Sequence, residues 1–141
     1  MTITTSRMFS WYGGITGKLT GSTIKECSVT NLTITGPHND SVKEIGGITG
    51  YINYSTIENC YVVGTLAGNT SIGGIAGTVE KYVNDTSYIR NCIAKVNIQA
   101  NSGPSGSGGI IGFTRNKNQI NLKRNISLAT GRNAYKLYGV D

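Results

Sequence analysis

Apolar and polar residues alternate most cleanly near the third cysteine. Cys92, Ala94, Val96 and Ile98 share one parity, and Ile93, Lys95, Asn97 and Gln99 the other. Period two puts the first set on one face of a strand. Shorter versions recur upstream: Cys60, Val62 and Leu66, and before them Cys27 and Val29 followed by Leu32 or Ile34 across an expected bulge. Each follows an Ile-x-x-Cys-x-Val segment or a relative of it: Ile24 to Val29, Ile57 to Val62, Ile89 to Ala94 and Leu122 to Ser127. Ile to Cys is three residues and Cys to Val is two, so the phase changes and a bend is predicted between them, with Asn59 and Asn91 at it. No stretch carries a helical period.

A second signature precedes each of these strands. Gly-Gly-Ile-x-Gly stands at Gly13–Gly17, Gly46–Gly50, Gly73–Gly77 and Gly108–Gly112, at intervals of 33, 27 and 35 residues. Repetition at such a period marks a solenoid. The longer intervals are assigned to insertions in turns, at Lys81 to Tyr88 and Arg115 to Gln119. About three short strands are expected per repeat, and none can bury a face alone. Winding them as coils about 4.8 Å apart gives each a parallel neighbour. The fold predicted is all-β: a parallel β-helix of about four coils, right-handed by the crossover preference. Its repeats are 13–45, 46–72, 73–107 and 108–141, with residues 1–12 read as the tail of a preceding coil or as foreign to the repeat.

Paired glycines before an inward Ile are expected to supply positive φ and close approach at a corner, and the third Gly to end a strand. A phosphate cradle would need a helix after the glycines, and none follows. Lys25, Glu58, Arg90 and Lys123 are expected to align as an outward column, the first three alternating in sign.

Composition fits this picture. Gly numbers 20, Pro only 2, and charged residues are 14%, which suits short strands and tight turns. The net charge of +6 sits late, with Arg115, Lys117, Lys123, Arg124, Arg132 and Lys136 against Asp141. These charges are scattered, without the basic face and stacking aromatics of a nucleic-acid binder. No apolar run is long enough to span a bilayer, so no direct membrane insertion is expected.

Gly-Gly-Ile-x-Gly, then Ile-x-Asn-Cys-x-Val, then Gly-x-Leu-x-Gly resembles the GLUG repeat. The segment from Gly46 to Ile72 is the clearest copy, and the ending from Asn125 to Gly139 is similar to the segment that often closes such an array. The resemblance spans Gly13 to Gly139. It implies a secreted or cell-wall-attached bacterial protein, either adhesin-like or an immunoglobulin A-cleaving zinc endopeptidase whose repeats lie outside the zinc domain. Any secretion signal or anchor is then expected outside this segment. The chain has no His-Glu-x-x-His, and its single His, His38, stands in the turn-forming Gly36-Pro37-His38-Asn39-Asp40.

Candidate chemistry is thin. Cys27, Cys60 and Cys92 are 33 and 32 residues apart, unlike clustered metal ligands. They are expected to form an inward column of free thiols, with Asn125 in the fourth place marking a more polar terminal coil. The carboxylates Glu26, Asp40, Glu44, Glu58, Glu80, Asp85 and Asp141 show no recurring facing pair of the kind glycosidases need. Glu44 and Glu80 lie near coil boundaries where they could meet, but the reading favoured for them is solvated turn charges. Of 8 tyrosines, Tyr51, Tyr54, Tyr61, Tyr82 and Tyr88 fall in or beside turns. Tyr51, Tyr54 and Tyr88 make the candidate contact patch.

The expectation is a non-catalytic module with no catalytic, cofactor or metal residues. It would be a spacer or docking surface for a host glycoprotein or for neighbouring domains. The alternative is a small β-helix enzyme acting on polysaccharide.

Overall fold

The computed structural model describes residues 1–4, 10–36, 43–80, 86–101, 106–114 and 120–131. The first coil carries β2 (Ser10–Gly13), β3 (Thr16–Thr20), β4 (Thr23–Lys25) and β5 (Ser28–Thr35), preceded by β1 (Thr2–Thr4). The second carries β6 (Lys43–Gly46), β7 (Thr49–Asn53), β8 (Thr56–Glu58) and β9 (Tyr61–Gly68). The third carries β10 (Ile72–Gly73), β11 (Ala76–Val79), β12 (Ser87–Arg90) and β13 (Ile93–Ala100). The fourth carries β14 (Ser107–Gly108), β15 (Ile111–Thr114), β16 (Ile120–Lys123) and β17 (Ile126–Ser127).

Like strands stack in parallel. The four sheets run β14-β10-β6-β2, β15-β11-β7-β3, β16-β12-β8-β4 and β1-β5-β9-β13-β17. This is a parallel β-helix, with four strands per coil where three were expected. The extra one is the strand entering the double glycine, in which a single inward residue, Tyr12, Ile45, Ile72 or Ser107, marks each copy. The register matches the repeat: Gly13, Gly46, Gly73 and Gly108 lie in one column. Ladder bonds continue through the corners, as in Ile48 N–H to Ile75 O (2.9 Å) and Ile75 N–H to Ile110 O (2.9 Å).

Columns of like side chains fill the interior. Ile57 and Ile89 stack between Ile24 and Leu122, and Ile34, Leu66 and Ile98 form a second column. Ile48, Ile75 and Ile110 sit at the glycine corner, all fully buried. Each such side chain contributes about 1.5–3 kcal/mol. The expected bulge is present: Thr30 and Asn31 interrupt the register between Val29 and Leu32, and Asn31 has φ 54°.

The glycines meet one part of the expectation and not the other. None of the pentapeptide glycines has positive φ; among the described residues the positive-φ glycines are Gly21, Gly106 and Gly131. Close approach, the other part, is the reason they are glycine. A Cβ on Gly50 would stand 2.6 Å from the Glu44 carbonyl oxygen and 2.8 Å from the Trp11 carbonyl carbon. One on Gly77 would stand 2.6 Å from both the Gly50 oxygen and the Ile45 nitrogen. The sheets of β6 and β7 therefore meet backbone to backbone, with no side chains between them at this corner. The third glycine lies inside β3, β7, β11 and β15, so it does not end the strand.

The predicted bend before Cys is a left-handed residue. Glu26, Asn59, Asn91 and Arg124 occupy it with φ of 56°, 54°, 54° and 53°. Asn tolerates this region better than most residues. Asn91 Nδ2 donates to Asn59 Oδ1 at 3.0 Å, and Arg124 Nε donates to Asn91 Oδ1 at 2.8 Å. Of the two insertions, 81–85 and 115–119 lie outside the described residues. Ser87 and Tyr88, assigned to a turn from sequence, belong to β12.

Candidate functional site

The corners between the second and third strands of the first two coils, with Thr86 and Tyr88 of the third, build a groove. Ser55 is its hinge: its hydroxyl donates to Asn53 O (2.7 Å) and accepts from Ser22 N–H (3.1 Å). Ser22 repeats the pattern, donating to Thr20 O at 2.9 Å, and Ser87 Oγ accepts from Ser55 N–H at 3.4 Å. Just before these serines the chain turns left-handed, at Gly21 (φ 57°) in the first coil and at Tyr54 (φ 47°) in the second. Glycine takes that conformation freely, whereas an aromatic residue there is an outlier worth of order 1–3 kcal/mol.

Tyr54 is 55% exposed and Tyr88 39%. Tyr88 points outward from β12, in register with Thr56 of β8 and, through it, Thr23 of β4. Together with Gly21, Ser22, Ser55 and Thr86 these residues line a groove of about 230 Å³. Beside it runs the expected column Lys25, Glu58, Arg90, Lys123. Arg90 Nε lies 3.0 Å from Glu58 Oε1, and its guanidinium stands 6.0 Å from the Tyr88 ring centroid. Both charged side chains are partly exposed, so the pair contributes about 1 kcal/mol or less.

Tyr51 does not belong to this patch. It is only 4% exposed, in β7, enclosed in an arch with Trp11, Lys18 and Glu80. Its ring meets Trp11 at 5.4 Å between centroids, and Lys18 Nζ lies 4.9 Å from the Trp11 centroid and 5.2 Å from that of Tyr51. The Tyr51 hydroxyl donates to Glu80 Oε2 at 3.2 Å. Glu44 pairs with Trp11 across β6 and β2. Burial pushes its carboxyl above the ordinary 4.5; its own backbone hydrogen bond opposes this, and the nearby Glu80 charge adds to the rise. Glu80 is thus near enough for its charge to reach Glu44, while its own Oε2 is taken by the Tyr51 hydroxyl.

The three thiols form the expected inward column, Cys60 and Cys92 buried and Cys27 half-buried, all unbridged. Each thiol donates to the carbonyl two residues back, Lys25 O at 3.2 Å, Glu58 O at 3.2 Å and Arg90 O at 3.3 Å, closing the left-handed bend. The contact between the Cys60 and Cys92 thiols, and then burial, push the Cys92 thiol up, while the same contact brings the Cys60 thiol down to about 6. Asn125 continues the column with polar atoms: its Oδ1 accepts from Cys92 N–H (2.9 Å) and its Nδ2 donates to Ile89 O (2.7 Å). Among the described residues no three His, Cys, Asp or Glu side chains converge on a common point.

His38, Asp40, Tyr82, Asp85, Arg115, Lys117, Arg132, Lys136 and Asp141 lie outside the described residues. Lys123 and Arg124 are exposed at the last coil, Arg124 engaged with Asn91. Sequence reasoning missed the serine column, although Ser22, Ser55 and Ser87 each stand two residues before the Ile of the second signature. It also missed the Trp11–Lys18–Tyr51 stack, which joins residues of two coils and carries no local signal. No protein-family model matches the chain, and no curated protein or solved structure does either.

Proposed function

We propose that this chain is a non-catalytic β-solenoid module of a bacterial secreted or surface-attached protein, holding a docking surface for a host glycoprotein on a rigid spacer. The observation that supports this is Tyr54: an exposed aromatic held in a left-handed conformation, beside Tyr88, on a frame whose every coil is hydrogen-bonded to the next. In the setting the GLUG resemblance implies, such a face would help a linked zinc endopeptidase or adhesin engage its target. Exposed tyrosines suit that work, bringing large contact area with few rotatable bonds. The test is surface plasmon resonance over immobilised immunoglobulin A and mucin. Binding by the native chain and its loss in Tyr54→Ala/Tyr88→Ala supports docking. No binding, or equal binding by the double variant, overturns it.

A second reading rests on a different observation. Glu44, raised by burial, beside Glu80 resembles the acid–base division of labour of carbohydrate-cleaving sites, with Trp11 as an aromatic rim. On this reading the chain is a small β-helix enzyme acting on polysaccharide. Release of reducing ends from a polysaccharide panel, abolished by Glu80→Gln, supports it; no release by the native chain removes it.

A further inference from the structure

The groove at Tyr54 and Tyr88 has a narrower chemistry than a general contact surface needs. We propose that it binds a neutral saccharide, a proposal that rests on the docking reading above. The first argument is conformational. The matching corner of the first coil uses Gly21 at φ 57°, the residue for which this conformation costs nothing; a Cβ there would make only an ordinary 3.9 Å contact with Tyr54 Cδ1. Tyr54 has the backbone of a glycine, yet its ring stays 55% exposed and little burial offsets the cost. Strain kept on an exposed aromatic points to contact with something outside the chain.

The lining says what that something is. Apart from Gly21 and the two tyrosines, the groove is Ser22, Thr23, Ser55, Thr56 and Thr86. Ser22 and Ser55 spend their hydroxyl protons on Thr20 O and Asn53 O, which stiffens the rim. Thr23 and Thr56, stacked in register with Tyr88, present hydroxyls that both donate and accept. A sugar ring offers the complement: a C–H face for an aromatic ring and an equatorial rim of hydroxyls. Among the described residues that line the groove none is charged, and Arg90, beside it, is held by Glu58, which favours a neutral ligand over an anionic one.

A peptide fits less well. The described lining offers no apolar side chain but the two tyrosines, and β8 is paired on both edges, with β4 and β12, which leaves no edge there for strand addition. At about 230 Å³ the groove is smaller than pockets that engulf a ligand, roughly 300–1,000 Å³. It suits one or two residues of a longer chain lying across the tyrosines.

The test is a titration of the ¹⁵N-labelled chain followed by amide shifts. The probes are chitotetraose and maltotetraose as neutral sugars, sialyllactose as the anionic one, and a decaproline peptide. At least one neutral sugar is expected to move the amides of Gly21, Ser22, Tyr54, Thr56 and Tyr88, with a dissociation constant near or below about 1 mM. Tyr54→Phe keeps the ring and should bind like the native chain. Tyr54→Gly should melt no lower than the native chain, because it relieves the left-handed tyrosine, yet bind about tenfold more weakly or not at all.

The proposal is overturned if both neutral sugars leave these amides unmoved at about 10 mM, well above that expected constant, or if Tyr54→Gly binds as the native chain does. Tightest binding of sialyllactose, or shifts caused by decaproline alone, overturns it equally. Docking itself is judged separately. A glycoprotein that is still captured through Tyr54 and Tyr88 after enzymatic deglycosylation defeats the sugar proposal and leaves docking standing. Loss of all capture of native glycoprotein defeats docking.

Discussion

The first coil and the coils stacked above it share one pentapeptide and differ in what surrounds it. Ile15 is 45% exposed, while Ile48 and Ile75, in the same place, are sealed. Cys27 is half-buried where Cys60 and Cys92 are buried, and Ile24 is half-buried where Ile57 and Ile89 are sealed. The residues are alike; the number of covering coils is not. Burial in a solenoid is therefore a property of position in the stack, and stability depends on nearest-neighbour interfaces. The far end makes the same point with a different residue. Asn125 replaces Cys in the last described coil and turns its polar atoms onto the Cys92 and Ile89 backbone.

The most severe way to break an inner coil is Gly50→Ala. The new methyl group meets backbone of β2 and β6 that no rotamer change can move, so a loss of about 3 kcal/mol or more is expected; chemical denaturation measures it. Next comes the matched pair Ile75→Ala and Ile15→Ala. The inner change should cost about 2–5 kcal/mol and the outer about 1 kcal/mol or less. Equal costs would show that stacking does not govern burial here.

Asn91→Ala tests the left-handed corner. It removes the bonds to Asn59 and Arg124 and puts a less tolerant residue at φ 54°, for about 1–2 kcal/mol. Glu26→Ala, at the same corner of the first coil, should cost less.

The smallest effect is a pH dependence in the arch. The folded Glu44 carboxyl is raised above the ordinary 4.5, so its charged form is the disfavoured one. Its penalty is absent below the unfolded value, grows as pH rises through 4.5 towards the folded value, and is then constant. Glu44→Gln should accordingly raise the melting temperature at pH 7 and leave it nearly unchanged at about pH 3, where the carboxyl is protonated in both states. Melting curves at the two pH values read this directly.

The stacking register was legible in the chain because the two signatures repeat in order, and like residues of successive copies do pair. The bend at Asn59 and Asn91 was legible from the change of phase between Ile and Cys. The alternation from Cys92 to Ile98 is reproduced residue by residue. Three things were hidden. The strand before the double glycine carries one inward residue per copy, too few for a period to show. At the glycines close approach was foreseen, but not that it sets one sheet against another: Glu44 and Trp11 crowd Gly50, and Ile45 crowds Gly77, which no local pattern encodes. Tyr51 looked exposed because alternation points it away from the core, yet the arch folds Trp11, Lys18 and Glu80 around it. Of the candidate surface, Tyr54 and Tyr88 were foreseen, whereas the serine column that shapes their groove was not.

The most direct measurement is thiol labelling of the native chain, followed by mass spectrometry of each cysteine with time. The stacked-coil account predicts that Cys27, open at the outer coil, reacts first, and that Cys60 and Cys92 react only as coils open. Three cysteines labelling together at the rate of an unfolded peptide would contradict the inward column and, with it, the protection that stacking is claimed to give.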